Sequence, residues 1–583
     1  MGKRWRIHPH QPERISQLQR GSRVSAVVAQ LLICRGITDP QHVDGFLNSR
    51  LSGMREPDEL PGLADAADRL LAAVRSNRRI TVYGDYDADG MSSAAILMRA
   101  LQLLGGQVHY YVPHRIEEGY GLNHEALRKL AARGTNVVVT VDCGIASVDE
   151  AQTARELGLE LIITDHHEVG PELPDAAAVV HPGLPGSEYP FRGLCGAGVA
   201  FKLAWGLCQR ASEAKRVAPT MKEFLLSALG LAAIGTVADV VPLLDENRII
   251  VRHGLVSMKE RPVLGMAALM RRTGLDAKPS LSGEDLAFTI SPRLNAAGRL
   301  GQAQLAVELL TTDQADRAEA IAEYLDQLNR TRDHLERSIY LSAQKQIKEQ
   351  FDVSDDPAFV LSGRGWHPGV IGIVAGRLAE KYARPVVMIA FDELGQSLGT
   401  GSARSGGVLN LHAALHACGD HLAGFGGHAA AAGLRIDEAH VEAFRSHFCE
   451  HVDAELTSAD RVAQVHVDAE TTLSQLTLKT LQEIELLAPF GQANPRPILC
   501  ASKVHLAEPP RLMGEGQRHL SLRVHQQGTP LRAVAFGQAE WAETLQQHAG
   551  PIDIAFRPVI NDFRGNRRVE LQLVDWKTSE DLG

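Results

Sequence analysis

Cysteine is sparse in this chain and is never paired at close spacing. Seven cysteines are scattered over 583 residues, and no two of them form a C-x-x-C motif. An odd number of scattered cysteines is typical of reduced thiols in a cytosolic protein. The sequence therefore argues against a disulfide framework and against a structural zinc cluster.

Long apolar runs and an excess of positive charge are also missing. We find no stretch that approaches the ~18 apolar residues needed to span a membrane. The charged start MGKRWRIHPHQPERIS is not followed by an apolar segment, so we expect no signal peptide. The formal net charge is -10. Proteins that coat nucleic acid by charge alone are strongly basic, so the composition disfavours that class while allowing a local basic groove.

The pattern along the chain predicts a mixed α/β protein with a small all-β end. After a helical lead-in, apolar β-branched strands alternate with helices, which is typical of a buried parallel sheet. Residues 314–350 contain no Gly or Pro and carry apolar residues at helical spacing, so they predict one long helix. Short alternating stretches near the C-terminus predict an antiparallel barrel. The predicted parts are a lead-in at 1–60, an α/β catalytic domain at 61–245, a helical connector at 246–352, a smaller α/β domain at 353–455 and the barrel at 463–577.

Acidic residues and histidines follow several of the predicted strands. In ITVYGDYDADG three aspartates occupy every second position after a β-branched run, and further acids or histidines end VVVTVD, LIITDHH and GTVAD. Ligands of open α/β sheets bind outside the carboxyl ends of the strands, so we expect these side chains to lie together. Clustered carboxylates repel one another unless a cation neutralises them. The residues concerned are Asp85, Asp87, Asp89, Asp142, Asp165, His166, His167 and Asp239.

This set of donor atoms suits two divalent metal ions. Several carboxylates with one or two imidazoles and no thiolate favour Mn²⁺ or Mg²⁺ over zinc. An isolated D-x-D-x-D would more often be a solvated acidic loop, and the two histidines could instead cap the turn as a satisfied pair. The neighbouring acids favour the metal interpretation. The sequence leaves open which of Asp85, Asp87 and Asp89 binds which ion.

The motifs YGDYDADG, TVDCGI, ITDHHE and GTVADVVPL resemble, in order, the four motifs of the DHH phosphoesterase superfamily. The resemblance implies a bridging and catalytic role for Asp142, contact of His167 with the substrate phosphate, and support of the histidines by Asp165. The metal ligands that it implies are Asp85, Asp87, Asp89, Asp142, His166 and Asp239.

A second group of motifs lies in the connector and the smaller α/β domain. GFGGHAAAAG resembles the glycine-rich motif of the DHH-associated domain, and glycines let backbone N–H groups approach a phosphate. Arginine forks suit phosphate oxygens, although a surface ion pair explains each single arginine as well. The resemblance covers nearly the whole chain from about residue 60 and implies that the barrel is an OB-fold. The candidate substrate-binding residues are Arg115, Tyr120, Arg293, Asn295, Arg299, Arg377, Ser402, Arg404, Gly426, Gly427 and His428.

Two of these assignments have equally simple structural alternatives. Tyr120 could stack on a base or pack in the ordinary way. The segment NDFRGNRR, with Phe563, Arg564, Arg567 and Arg568, could form a basic hairpin on the OB-fold or a solvated turn.

Within the superfamily, the motifs are most similar to those of single-strand-specific 5′→3′ DNA exonucleases. The resemblance implies a metal-dependent exodeoxyribonuclease that releases 5′-mononucleotides by two-metal phosphodiester hydrolysis, in DNA repair and recombination. One alternative is a DHH phosphodiesterase on short oligoribonucleotides or cyclic dinucleotides, whose chains are usually shorter and lack an OB-fold. The other is a non-catalytic single-strand-binding replication factor, in which the metal ligands are lost. The implied partners are single-stranded DNA, a single-strand-binding protein and a helicase, with no membrane, a monomeric state and a cytoplasmic location.

Overall fold

The computed structural model describes residues 3–115, 117–395, 397–457, 462–548, 550–563 and 565–579. The chain folds into two compact units. The larger unit is Leu51–Val462, and the smaller unit combines the stretch up to Arg50 with the stretch from Ala463 onward.

The N-terminal stretch supplies one strand and three helices to the smaller unit. Ser25 caps the second helix by accepting a hydrogen bond from the Val28 N–H, and Asp39 caps the third through the Gln41 N–H. The elements are β1 (Arg4–Ile7), α1 (Pro12–Ser22), α2 (Ala26–Cys34) and α3 (Pro40–Leu47).

The larger unit begins with a five-stranded parallel sheet and the helices that cover it. The strand order is β3-β2-β4-β5-β6, so the predicted parallel α/β fold is confirmed. Strands β2 and β4 are buried along their whole length, as their apolar, β-branched composition requires. The elements are α4 (Leu63–Arg75), β2 (Ile80–Gly84), α5 (Ala88–Leu103), β3 (Val108–Tyr111), α6 (His124–Ala132), β4 (Val137–Val141), α7 (Val148–Glu156), β5 (Glu160–Thr164), β6 (Ala178–Val180), α8 (Gly196–Ala211), α9 (Pro219–Ala238) and α10 (Asp245–Glu260).

Helix α9 is the one described helix that is long and apolar enough, by length and composition, to cross a membrane. The prediction that no stretch approaches this length and composition is therefore wrong. In the structure 56% of its most apolar window is buried, and the helix packs against α5, α8 and α10. An apolar helix surrounded by other helices is typical of a protein core.

The predicted long helix is confirmed as the last element of a helical connector. It shares one apolar core with the first sheet through Ile321 and Leu325, and another with the second sheet through Ile339 and Ile347. The helix therefore joins the two lobes of the larger unit. The elements of the connector are α11 (Leu264–Thr273), α12 (Gly283–Asp285), one π-helical turn (Leu286–Ile290), α13 (Ser291–Arg299), α14 (Ala303–Thr311) and α15 (Ala315–Gln350).

The second lobe contains a five-stranded mixed sheet in the order β10-β11-β9-β8-β7. Strands β7 and β8 are parallel and are joined by a helix, which agrees with the predicted second α/β domain. The remaining pairs are antiparallel. The elements are β7 (Phe359–Arg364), α16 (Pro368–Tyr382), β8 (Val386–Phe391), β9 (Gly399–Arg404), α17 (Leu411–Ala417), β10 (Gly424–Gly427), β11 (Ala431–Ile436) and α18 (Val441–Glu455).

The C-terminal stretch forms the sheet-rich domain that was predicted, with two helices that were not. The prediction of a purely antiparallel barrel is wrong, because Ala469–Glu470 pairs in parallel with the strand Leu499–Leu506, and Thr529–Ala535 pairs in parallel with Asn566–Thr578. Its seven-stranded sheet has the order β13-β14-β18-β19-β17-β16-β15, and a further β14–β16 pairing closes it. Thr477 caps the first unpredicted helix, and Leu481 and Ile484 bury its inner face. The elements are β12 (Gln464–Val467), β13 (Ala469–Glu470), α19 (Leu478–Glu485), β14 (Leu499–Leu506), β15 (Arg511–Met513), β16 (His519–Gln526), β17 (Thr529–Ala535), α20 (Trp541–Gln547), β18 (Ile552–Phe563) and β19 (Asn566–Thr578).

The smaller unit is held together by contacts between the two ends of the chain. Strand β1 pairs in parallel with β12, and α2 shares an apolar core with α19 and the barrel. The Arg35 Nε donates to Asn494 Oδ1 at 2.6 Å. The N-terminal helices and the barrel are thus one folding unit, although the whole of the larger unit separates them in sequence.

Candidate active site

The carboxylates and histidines expected to cluster do lie at the carboxyl ends of the strands. Asp85 follows β2, Asp142 follows β4, and Asp165 follows β5. Asp239 joins them from the C-terminal end of α9. Parallel strands direct their carboxyl ends to one edge, and this edge carries the candidate site.

One group of possible metal ligands surrounds the imidazole of His166. Its Nε2 atom lies 3.0 Å from Asp142 Oδ1, 3.5 Å from Asp239 Oδ2 and 3.8 Å from Asp89 Oδ2. Burial, and next the charge of His167, lower the pKa of His166 to about 3, so the ring is neutral at pH 7. A neutral imidazole has a free lone pair, which metal coordination requires.

A second group consists of Asp85, Asp87 and Asp142, whose candidate ligand atoms lie within 4.8 Å of one another. Asp142 also contacts His166 of the first group, so its carboxylate is common to both. Asp85 is buried, and within the described part of the chain its Oδ1 atom has no hydrogen-bond partner. A buried carboxylate oxygen without a partner is unfavourable unless a cation binds it.

Asp87 and Asp89 also stabilise the ends of two helices, which the sequence motif did not indicate. The Asp87 Oδ1 caps α5 by accepting hydrogen bonds from the N–H groups of Asp89 and Gly90, at 2.8 and 3.0 Å. The Asp89 carboxylate accepts the N–H groups of Gly196 and Ala197 at the start of α8, at 2.7 and 2.8 Å. The N-terminus of a helix stabilises a nearby negative charge, so α8 orients Asp89 and partly offsets the effect of burial, which favours its neutral form.

Two glycines that sequence reasoning missed make this crowded arrangement possible. A Cβ atom on Gly196 would lie 2.6 Å from Asp142 Oδ1, and one on Gly235 would lie 2.2 Å from Asp89 Oδ1. Both distances are shorter than any van der Waals contact, so only glycine fits. The glycine-rich start of α8, GLCGAG, was the signal that could have identified the first of them.

His167 belongs to a separate hydrogen-bond network. Its Nδ1 lies 2.7 Å from Asp165 Oδ1, and the Tyr120 hydroxyl lies 3.2 Å from the same ring nitrogen. Burial alone would lower the pKa of His167, but the hydrogen bond and charge of Asp165 outweigh it and raise the pKa to about 9. His181, which sequence reasoning missed, lies with its Nε2 atom 2.8 Å from the His167 carbonyl oxygen. His167 is therefore a fixed cation at neutral pH.

Asp165 supports this network from within the protein. Its carboxylate accepts hydrogen bonds from the backbone N–H groups of Ile145 and His166, at 2.9 and 2.7 Å. Burial would raise the pKa of Asp165, but the hydrogen bond and charge of His167, with the backbone donors, lower it to about 2. Asp165 thus contacts both histidines, and it also belongs with Asp142, His166 and His167 to a group that could hold a metal ion. Its supporting role stays a prediction.

The electrostatics of the clustered carboxylates call for a bound cation. Burial, and next the charges of Asp89 and Asp87, raise the pKa of Asp239 to about 8. Burial and Asp87 raise the pKa of Asp89 to about 6, and burial and Asp89 raise the pKa of Asp142 well above its usual range. An oxygen-rich set with one imidazole fits Mn²⁺ or Mg²⁺.

We therefore expect the stability of the metal-free protein to fall as pH rises from about 6.5 to about 8.5. Asp239 and His167 both have folded-state pKa values above their unfolded values, and the stability linked to their protons is lost as pH rises through those folded-state values. Thermal unfolding in EDTA should show a falling Tm over this range. Excess Mg²⁺ should raise the Tm more at the upper end of the range than at the lower end, because protons compete less for the carboxylates. A rising Tm in EDTA, or no effect of Mg²⁺ at either pH, would contradict this arrangement.

Three candidate substrate residues converge on the edge of this centre. The Asn295 side chain accepts a hydrogen bond from the Ala88 N–H at 2.8 Å, between Asp87 and Asp89 of the candidate metal ligands. The Arg115 guanidinium lies 4.8 Å from the centre of the Tyr86 ring. Arg299 donates to the Gly369 carbonyl at 3.0 Å. Burial, followed by the charges of Arg115 and Arg404, lowers the pKa of Arg299 to about 10, which places three arginines near one another.

The other candidate arginines differ in whether a carboxylate pairs with them. Arg293 pairs with Asp326 at 2.9 Å, and Arg377 pairs with Glu336 at 2.5 Å. Arg404 instead donates to Ser402 Oγ and to the Ala403 carbonyl, at 3.0 and 2.7 Å. Within the described residues no carboxylate forms an ion pair with Arg115, Arg299 or Arg404, so these three suit an anionic ligand.

The glycine-rich segment of the second lobe reaches the first lobe. The His428 Nδ1 atom lies 3.7 Å from Glu168 Oε2, directly after the two histidines of the first lobe. Gly426 and Gly427 are the last two residues of β10, just before His428, and Gly427 has a φ of 134°, which residues with a side chain rarely adopt. Gly426, Gly427 and His428 are exposed. Among the described residues, none of the three forms a hydrogen bond or ion pair with the carboxylate cluster.

The proposed basic hairpin is described only in part. Arg564 lies outside the described residues, and Arg567 and Arg568 are exposed at the start of β19. In the smaller unit, a groove of about 960 Å³ is lined by Arg523, Arg532 and Arg568 and also by Glu508 and Glu570, and Glu570 pairs with Arg532 at 2.9 Å. The solvated-turn alternative therefore stays open for the tip, and the groove beside it carries charges of both signs.

Comparison with known proteins gives consistent matches along the chain. The family models that match are the DHH family N-terminal domain over residues 79–235, the DHHA1 domain over 355–454 and the RecJ OB domain over 467–575. The chain is 37% identical over 577 residues to the single-stranded-DNA-specific exonuclease RecJ of Bacillus subtilis, a match that covers 99% of this chain and 71% of that relative.

Solved structures give the same picture. The crystal structure of RecJ from Thermus thermophilus in complex with Mn²⁺ matches with a TM-score of 0.82 and 32% identity, covering 99% of this chain and 79% of that one. The structure of the same protein in complex with Mg²⁺ matches with a TM-score of 0.77 and 31% identity, covering 99% and 78%.

Proposed function

The chain belongs to the RecJ family of DHH phosphoesterases, and we propose that it degrades single-stranded DNA from the 5′ end and releases 5′-mononucleotides. It is a metal-dependent exonuclease that uses Mn²⁺ or Mg²⁺. The observation that carries the proposal is the sharing of Asp142 between the His166 group and the Asp85–Asp87 group. A carboxylate common to two groups of ligands suits a pair of ions on either side of one phosphate.

The proposed ligands follow from the two groups. Asp85 and Asp87 would hold one ion, and Asp89, His166 and Asp239 the other. Asp142 would bridge them. When bound, the ions would lower the pKa of the attacking water and neutralise charge on the scissile phosphate.

The protein's own residues contribute orientation and charge to the reaction. His167, held as a cation by Asp165, would donate a hydrogen bond to a phosphate oxygen as negative charge grows in the transition state. The contact of Tyr120 with the same ring fixes its plane. Asn295 holds the backbone at Ala88 and thereby keeps the aspartates in place.

The direction of degradation would follow from a pocket for the terminal phosphate. Arg404 and Ser402 form its proposed centre, with Arg299 and Arg115 nearby. Burial and the charge of neighbouring arginines lower the pKa of Arg299 and of Arg404, and a phosphate would relieve the repulsion. Arg293 and Arg377, which are paired with carboxylates, would position neighbouring groups or exchange partners when DNA binds.

Single-stranded DNA with a 3′ label tests the proposal directly. With Mg²⁺ or Mn²⁺ we expect stepwise shortening from the 5′ end and no degradation of blunt duplex. A 5′-phosphate should be preferred over a 5′-hydroxyl, and Arg404→Gln should raise the KM for the phosphorylated strand about tenfold or more and remove that preference, since charge-assisted hydrogen bonds contribute about 1.5–3 kcal/mol. Arg435→Gln, which changes an exposed arginine on the neighbouring strand β11, is the matched control.

The outcomes separate the alternatives. Turnover of two- to five-residue RNA without cleavage of long DNA would point to a small-substrate phosphodiesterase, and binding without turnover would point to a scaffold. Shortening from the 3′ end would overturn the proposed polarity. Retained preference for the 5′-phosphate in Arg404→Gln would remove Arg404 from the pocket.

The proposed cellular context follows from the substrate. Single strands arise by unwinding and are covered by binding proteins, so a helicase and a single-strand-binding protein are the proposed partners. We further propose that the protein acts as a monomer in the cytoplasm, in DNA repair and recombination.

A further inference from the structure

Phe288 is the most exposed large hydrophobic side chain among the described residues. Its exposed fraction is 78%. Single exposed apolar side chains are common on protein surfaces and carry no meaning alone. The position of Phe288 in the backbone and on its helix distinguishes it from the others.

Phe288 lies in the middle of the π-helical turn Leu286–Ile290, which leads without a break into α13. Turns of this kind are rare, and they occur often at functional sites because they redirect side chains. Leu286 and Ile290 of the same turn are fully buried. The turn is therefore anchored in the core while Phe288 projects outward.

The face on which Phe288 lies can be derived from helical geometry. Buried Ile290, Leu294 and Ala297 define the core side of the helix. Phe288 precedes Ile290 by two residues, about half a turn, which places it on the side of the helix away from the core. Asn295 and Arg299 are four residues apart on α13 and share one face, and that face also lies away from Ile290.

The contacts of the other two residues show what this face is directed toward. Asn295 accepts the hydrogen bond of the Ala88 N–H, between two of the proposed metal ligands. Arg299 donates to Gly369 of the second lobe, and a Cβ on Gly298 beside it would lie 1.9 Å from the Tyr86 carbonyl oxygen. Phe288 is thus on the side of the helix that borders the proposed metal ligands, and the space beside them is here called the catalytic cleft. Phe288 lies about 10 Å along the axis from Asn295.

We propose that Phe288 stacks on a nucleobase of the bound single strand and so helps to hold unpaired DNA in the cleft. The proposal rests on the proposed function. A phenyl ring has no hydrogen-bonding groups, and every base has an aromatic face, so the contact tolerates any sequence. In a duplex both faces of a base are covered by its neighbours, so the contact also favours an unpaired strand.

Steady-state kinetics on 5′-phosphorylated single strands test this contact. Phe288→Ala should raise the KM about tenfold, within the range known for the loss of one base-stacking contact, with a smaller change in kcat. Phe288→Trp should restore the KM, which a purely structural role would not predict for a larger ring. Leu394→Ala, at a side chain that is 74% exposed, is the matched control and should leave the KM unchanged. The Tm of each variant should equal that of the wild type, because little area is buried.

A scan with abasic sites identifies the nucleotide concerned. In the wild type, one abasic position near the 5′ end should raise the KM to the level of Phe288→Ala, and in that variant the same substitution should have no further effect. An unchanged KM in Phe288→Ala, or additive losses at every abasic position, would overturn the stacking contact while leaving the exonuclease proposal intact. Absence of DNA degradation by the wild type would instead overturn the function itself.

Discussion

Replacing Asp142 by asparagine should abolish DNA hydrolysis and, in the same protein, raise the stability of the metal-free state. The carboxylate is common to both groups of proposed ligands and lies 3.0 Å from His166 Nε2. Its loss removes the shared negative charge that would hold two ions together. We expect kcat to fall about a thousandfold or more, since a metal site contributes several kcal/mol to stabilisation of the transition state.

The stabilising effect has a separate physical cause. Burial and the charges of neighbouring aspartates raise the pKa of Asp142 well above its usual range, so the ionised group is unfavourable in the folded protein without metal. A neutral amide relieves that repulsion. Asparagine also tolerates the φ of 64° at this position, at which alanine would add backbone strain.

Two unfolding curves and one activity assay check the prediction. In EDTA the Tm of Asp142→Asn should exceed that of the wild type, and addition of Mn²⁺ should raise it far less. Asp149→Asn, at an exposed aspartate on α7, controls for loss of a charge. A variant that keeps activity within about tenfold of the wild type would contradict the bridging role, and a lower Tm in EDTA would contradict the repulsion argument.

Replacing Lys202 by methionine should cost about 3–5 kcal/mol of folding free energy, the usual result of breaking a buried ion pair. Both partners are fully buried, and the Lys202 Nζ lies 2.7 Å from Glu246 Oε1. Glu246 would keep the Arg55 guanidinium, 3.3 Å away, the Arg55 backbone N–H at 3.0 Å and the hydroxyl of Tyr189. The loss arises because the partly exposed Arg55 pair compensates the buried carboxylate only in part once the fully buried lysine is gone.

This ion pair also supports the catalytic centre. Lys202 lies on α8, whose first N–H groups hold Asp89, and the neighbour of Glu246, Asn247, donates to the carbonyls of Gly193 and Pro242 at 2.5 and 3.0 Å. These carbonyls belong to the segments that precede α8 and follow Asp239. Lys202→Met should therefore also weaken the stabilisation by Mn²⁺.

Chemical denaturation measures the loss. The double variant Lys202→Met with Glu246→Gln should recover part of the stability, because the buried side chain that lost its lysine partner is then neutral. Lys345→Met removes the exposed pair with Glu349 on α15 and should change the unfolding midpoint little. Equal losses of unfolding free energy in Lys202→Met and Lys345→Met would show that the buried pair contributes no more to stability than the exposed one.

The sequence motifs identified candidate arginines but could not tell which of them are free to bind phosphate. From the sequence alone, the candidates for phosphate binding were equivalent: Arg293, Arg299, Arg377 and Arg404. The structure separates them, because Asp326 and Glu336 pair with two of them from the long helix. Those partners lie 33 and 41 residues away in the chain, and no local pattern links them to the arginines.

The sequence by itself determined the elements whose causes are local. Apolar β-branched runs followed by acids specified buried parallel strands with charged carboxyl ends. Apolar residues at helical spacing, in a stretch without Gly or Pro, specified the long helix Ala315–Gln350. These features depend on a period of two or 3.6 residues, which a short window contains. The donor atoms also determined the class of metal, because oxygen and imidazole ligands without thiolate are a property of composition.

The tertiary structure decided everything that depends on which distant segments meet. It grouped Asp85 with Asp87 and placed Asp89 beside His166 and Asp239, which alternation along one strand could not distinguish. It supplied the N–H donors of α8, and it joined the N-terminal helices to the barrel. Such contacts are selected by packing and by satisfaction of buried polar groups over the whole unit, so the local chemistry predicts which residues can act and only the fold determines which of them act together.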